Sequence, residues 1–122
     1  MVDVEQAYAL ACFNVLAHNR DDHSKNFSFL MTDQREWTLA PAYDLTFSYG
    51  LGGEQSTMIL GEGKNPGAKQ LTELGKKHSL KKAPSILAHV QLAISKWMRH
   101  ADKAGLSTKS TKTIGSLINA LK

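Results

Sequence analysis

The chain has 122 residues, 42% of them hydrophobic, with 15 Lys and Arg against 11 Asp and Glu for a formal net charge of +4. That length suits a single domain, 1–122, able to bury roughly two-thirds of its unfolded surface. No apolar run reaches the about 18 residues of a membrane span, and the one cysteine, Cys12, excludes an internal disulfide and fits a cytoplasmic, reducing location.

Taken in chain order, Asp3 followed by Gln6 marks a helix start, and 4–17 is apolar nearly all round. A buried central helix is expected, with Cys12 a small side chain inside it. Asp3 and Glu5 stand where a secretory leader would be basic, which argues against one. Segments 27–31 and 37–40 read as short strands about a polar turn at 32–36, and Pro41 closes the second. Six of the nine glycines, with Pro66, lie in 50–67 without periodicity, which predicts a mobile loop. A short helix is expected over 68–78, with Leu71 and Leu74 inward. Ser85 is the expected cap of a longer one through Ile86, Val90, Ile94, Trp97 and Ala101, stopped by Gly105. Positions 108–121 give a last amphipathic helix with Ile114, Leu117, Ile118 and Leu121 on one face. The expected fold class is mainly α with a small β-hairpin.

The segment HNRDDHSKNFSFL, 18–30, joins the first helix to the first strand without a glycine or proline. Asp21 and Asn26 are five apart in it, and Asp44 follows the second strand in APAYDL. A hairpin returns the chain near its start, so Asp44 is expected beside Asn26. A carboxylate plus a carboxamide oxygen suits Mg²⁺, which takes hard oxygen donors and keeps places for water and phosphate. Asp21, not needed for the metal, is suited to accept a hydroxyl proton. Base, metal ligand at plus five and metal ligand after a hairpin is the phosphoryl-transfer layout of protein kinases. Arg20, Asp21 and Asn26 meet it, with the histidine displaced to His18 and Asp44-Leu45 in place of Asp-Phe-Gly. Asp22 reads as a solvated loop acid without a role. His23 either touches phosphate or braces the loop, and Lys25 is either near phosphate or merely exposed. Trp37 and Tyr43 read as core.

The run N-R-D-D-H-S-K-N-F-S-F-L, followed by W-T-L-A-P-A-Y-D-L, resembles the C-terminal lobe of HipA-type kinases, the serine/threonine kinase toxins of bacterial toxin–antitoxin pairs. Asp-x-His-x-Lys-Asn-Phe-Ser is met at Asp21, His23, Lys25, Asn26, Phe27 and Ser28, and Leu-Ala-Pro-x-Tyr-Asp runs from Leu39 to Asp44. The resemblance implies a kinase C-lobe-like fold, Asp21 as catalytic base, His23 and Lys25 near the transferred phosphate, and Asn26 and Asp44 as magnesium ligands. It implies ATP as phosphoryl donor, a protein substrate (aminoacyl-tRNA synthetases among the candidates) and a DNA-binding antitoxin as partner.

An ATP-gripping N-terminal lobe should precede these motifs, so the chain is expected to be a C-terminal fragment, inactive and unable to bind ATP alone. Gly61-Glu-Gly63-Lys-Asn-Pro-Gly67 misses the third glycine of G-x-G-x-x-G by one position and is read as a decoy. With Asp21, Asp22 and Asp44 close together, phosphates would be repelled unless magnesium came first. His78, His89 and His100, each eleven apart, lie too far along a helix to share an ion. The group Lys76, Lys77, His78, Lys81 and Lys82 is a solvated helix end in the simplest reading, and a surface for an acidic partner or nucleic acid in the other. The alternatives to a protein kinase are thus a non-catalytic binding module using that surface, and a phosphoinositide-kinase-like lipid kinase, whose loop shares Asp-x-His-x-x-Asn.

Overall fold

Tyr8, Cys12, Val15 and Leu16 recur at helical spacing and form the stripe on which the molecule is built. A computed structural model describes residues 2–121, and in it α1 (Val2–Leu16) carries that stripe at 4%, 0%, 1% and 3% exposure. Burial grows toward the C-terminal end, while Val2 and Val4 remain exposed, so the helix is buried over its second half and not all round. Asp3 lies inside the first turn, where its charge suits the helix dipole, and is not the cap.

Two helices complete the core. α2 (Ala68–Lys77) buries Leu71, and α3 (Ala83–Ile94) buries Ala83 and Leu87, both against α1. Gln70 accepts the Gly67 amide at 3.0 Å at the start of α2. Tyr8 donates to the Leu71 carbonyl at 3.0 Å, which satisfies a buried hydroxyl between α1 and α2.

The long helix expected to start at Ser85 and reach Ala101 is two helices. Pro84 occupies the first turn of α3, a position that asks for no amide, so the helix opens before Ser85. It breaks at 95–96, ahead of α4 (Trp97–Lys103). There the Ser95 hydroxyl donates to the Leu92 carbonyl at 2.6 Å, and the Lys96 amide bonds Ala93 three residues back, tightening the turn. Past the break, Trp97 donates its indole N–H to the Thr111 carbonyl at 3.0 Å. Thr111 belongs to α5 (Thr108–Asn119), which starts where Ser107 Oγ accepts the Ser110 amide at 3.1 Å. Gly105, at φ +74, ends α4 as expected.

β1 (Phe29–Met31) and β2 (Trp37–Leu39) form an antiparallel pair in the register Phe29 to Leu39, Leu30 to Thr38 and Met31 to Trp37. Phe27 closes a 3-10 turn, so the first strand starts later than expected. Only Leu39 is buried; Trp37 is 62% exposed and Tyr43 40%, which corrects their reading as core. Five α-helices with this hairpin, among the described residues, agree with the expected fold class. No helix of the described residues is long and apolar enough to cross a membrane.

The stretch 50–67, expected to be mobile, is packed and bonded. Ile59 joins the core around α1, Gln55 and Pro66 are buried, and Ile59 pairs with Glu62. The sequence period is absent because only Ile59 of this stretch joins the core cluster, while its side-chain hydrogen bonds at 55–57 go to the loop 19–22 and follow no helix or strand repeat.

Candidate active site

α1 ends in a left-handed residue. His18 has φ +58, and the Asn19 amide reaches back to the Asn14 carbonyl at 2.8 Å, closing the helix end. A histidine holds this conformation here because its ring is tied down. Nδ1–H donates to the Ser48 carbonyl at 3.0 Å, and the ring stacks on Phe47 at 5.2 Å. The Ser48 amide returns a bond to the His18 carbonyl at 2.9 Å, and Asn19 pairs with Ser48 as a parallel bridge. The chain just after Asp44 is thereby zipped to the chain just before Asp21.

Between those ties the loop carries the expected residues. Asp21 and His23 are both about half-exposed and face each other, His23 Nε2 lying 3.5 Å from Asp21 Oδ1. Ser24–Asn26 make a 3-10 turn, which brings Asn26 Nδ2 to the Asp21 carbonyl at 2.9 Å. With its amide nitrogen so used, the Asn26 carbonyl oxygen is left to accept a cation. Lys25 is exposed, with no ion pair among the described residues, and its own carbonyl accepts the Tyr43 hydroxyl at 3.0 Å. Tyr43 also shares a 2.6 Å bond with Ser28 Oγ. That phenol, one residue before Asp44, holds the returning chain against the 24–28 segment. Asp44 is exposed at φ +54, a turned conformation that aspartate tolerates better than most residues.

Asp22 is the residue misread. It is 3% exposed, and its carboxylate accepts the Thr57 amide at 2.9 Å. Adjacent residues of an extended segment point to opposite faces, which separates Asp21 from Asp22 but does not tell which of the two is buried. Asp22, buried and bonded to Thr57, is thus not one of a group of solvent-facing acids with Asp21 and Asp44. The described residues hold no group of three or more His, Cys, Asp or Glu side chains able to take a metal. The expected magnesium donors, the carboxamide of Asn26 and the carboxylate of Asp44, are both oxygen groups of the kind that ion takes.

The glycine-rich stretch 61–67 offers no phosphate cradle. Glu62 Oε1 accepts the amides of Lys64 and Asn65 at 2.7 and 3.0 Å, taking the donors a phosphate would need. Those two bonds hold the Glu62 carboxyl below its ordinary range.

Residues 1–120 match the family model of the HipA-like C-terminal domain. The chain belongs to that family. No curated protein and no solved structure matches it. As a HipA-like C-terminal domain it is matched across α1, the hairpin and all four later helices, well beyond the loop motifs that carry the sequence resemblance. What those motifs could not reveal in this HipA-like domain are the His18–Ser48 tie, the Tyr43 tether and the burial of Asp22, each of which depends on residues 15 to 35 positions apart.

Proposed function

We propose that this domain is the base- and magnesium-bearing half of a HipA-type protein serine/threonine kinase, working with a nucleotide-holding N-terminal lobe. The observation that supports it most is that Asp21, His23 and Asn26 share one loop, with the Asp44 segment tied to that loop by Tyr43. Asp21 is exposed enough to meet a substrate and accepts the proton of an incoming serine or threonine hydroxyl. His23 orients that carboxylate from the side. The Asp21 carbonyl in turn fixes Asn26 through its Nδ2, and in this reading the Asn26 and Asp44 side-chain oxygens would hold the metal. Magnesium bound there would neutralise phosphate charge. Lys25 adds a mobile positive charge at the rim. Catalysis by such a site is positioning plus electrostatics, and the residues are fixed accordingly.

ATP is the donor in this reading, the acceptor is a protein such as an aminoacyl-tRNA synthetase, the location is cytoplasmic and a DNA-binding antitoxin is the regulatory partner. A binding-module role has one specific support: Lys77, His78 and Lys81 are exposed without acidic partners among the described residues, whereas Lys76 and Lys82 are paired with Glu73 and Glu5. Transfer of label from ATP to a protein hydroxyl, measured on the domain joined to its N-terminal lobe, tests the kinase reading. Asp21→Asn should lower that transfer about 10²- to 10⁴-fold with the fold unchanged. Undiminished transfer in Asp21→Asn would remove Asp21 from its role, and salt-sensitive capture of nucleic acid by a domain without transfer would favour the module.

A further inference from the structure

The four backbone carbonyls around Asp21 are each taken by a different side chain. The Asn19 carbonyl accepts Gln55 Nε2 at 2.7 Å, and the Arg20 carbonyl accepts Ser56 Oγ at 2.7 Å and the Ser56 amide at 3.1 Å. The Asp21 carbonyl accepts Asn26 Nδ2 at 2.9 Å, and the Asp22 carbonyl accepts Thr57 Oγ1 at 2.6 Å. Three of the four donors are consecutive residues, Gln55, Ser56 and Thr57. The Thr57 amide closes the arrangement on the Asp22 carboxylate. Upstream, the Arg20 guanidinium donates to the Gly53 carbonyl, and Gly50 lies so close that a Cβ there would stand 2.8 Å from the Arg20 Cβ. An irregular loop has no ladder of its own to fix its peptide planes, so its carbonyls are set by whatever donors reach them.

We propose that 55–57 is a positioning bracket for the Asp21 loop, anchored by the buried carboxylate of Asp22, and that its hydrogen bonds set the rate at which Asp21 acts. The inference rests on the kinase reading for its effect on rate. Asp22 and Thr57 are positioning residues and touch no substrate. The bracket orients the Arg20–Asp21 peptide group and the Asp22 carbonyl, on either side of the Asp21 carbonyl that Asn26 holds, and an error of about 1 Å in a catalytic group is enough to cost on the order of 10²-fold in rate. Because 55–57 follows Asp44 in the chain, the same bracket couples the placement of the base to the placement of that metal-ligand segment.

The test uses Thr57→Val, Asp22→Ala and the conservative Thr57→Ser and Asp22→Asn. In the domain joined to its N-terminal lobe, Thr57→Val and Asp22→Ala should lower kcat about tenfold or more with KM for ATP little changed, and Thr57→Ser and Asp22→Asn should restore most of it. Amide hydrogen exchange on the 122-residue chain supplies an arm independent of activity. There Thr57→Val should speed exchange of the Asn26 and Phe27 amides, which lie outside the bracket, while α2 and α3 keep their protection. Unchanged exchange at Asn26 and Phe27, or an unchanged kcat in Thr57→Val, overturns the bracket. Absence of transfer in the parent protein with faster exchange in Thr57→Val overturns the kinase reading and leaves the bracket as the device that holds the loop. Should Asp22→Ala fail to fold, Thr57→Val, an exposed position, decides alone.

Discussion

At the scale of single residues, polar side chains buried at the end of α1 do the positioning, and apolar ones the anchoring. Cys12 is fully buried, and burial pushes its thiol from the ordinary 9.0 up to about 11. The folded state thus disfavours the thiolate, so stability is intact below pH 9 and declines as pH rises from 9 toward 11. A thiol reagent at pH 8 should leave Cys12 unmodified in the folded chain and react with it in denaturant; rapid reaction without denaturant would show that the core is open there. Tyr43 makes a second residue-scale case. Its hydroxyl bonds both Ser28 and the Lys25 carbonyl, so Tyr43→Phe should cost about 1 kcal/mol in a denaturant titration. A loss near zero would mean the phenol does not tether the Asp44 segment. The meeting of Asn26 with the Asp21 backbone was legible in the sequence because a spacing of five encodes local reach. Asp22, His18 and Tyr43 were not, because their roles depend on which distant backbone group arrives opposite them.

At the scale of elements, α1, α2 and α5 follow their hydrophobic periods to within two residues at each end. The hairpin followed from its turn residues. The α3–α4 junction did not, because Trp97 and Ala101 continue the stripe of Ile86, Val90 and Ile94 in sequence while the backbone bends to bring Trp97 against α5. A one-dimensional pattern carries no information on which helix receives the stripe. The 50–67 stretch failed for a related reason: glycine content reads as freedom, yet Gly50 is at the point of closest approach to Arg20. Packing of α2 on α3 gives a direct check. A Cβ at Gly75 would stand 2.5 Å from the Ala83 Cβ, between two buried backbones. Gly75→Ala should therefore destabilise the fold by about 1–3 kcal/mol despite alanine's better helix propensity. A stabilised Gly75→Ala would show that α2 and α3 stand further apart.

At the scale of the whole molecule, the helical core serves to hold one polar loop and one hairpin in fixed relation. The loop and the hairpin return carry the proposed functional residues, and both are fastened to α1 through His18 and Asn19. The domain's own glycine-rich stretch spends its amides on Glu62, so calorimetry of the 122-residue chain with ATP should give no binding heat, with or without magnesium. A clear isotherm would mean that a nucleotide site exists within these residues. In the proposed site the hairpin return makes one cation site of Asn26 and Asp44 next to Asp21. Paramagnetic line broadening of the isolated domain's amide spectrum by Mn²⁺, standing in for Mg²⁺, measures this most directly. Broadening should centre on Asn26 and Asp44 and be greatly weakened in Asp44→Asn. Broadening that centres elsewhere, or that persists undiminished in Asp44→Asn, would contradict the proposed site.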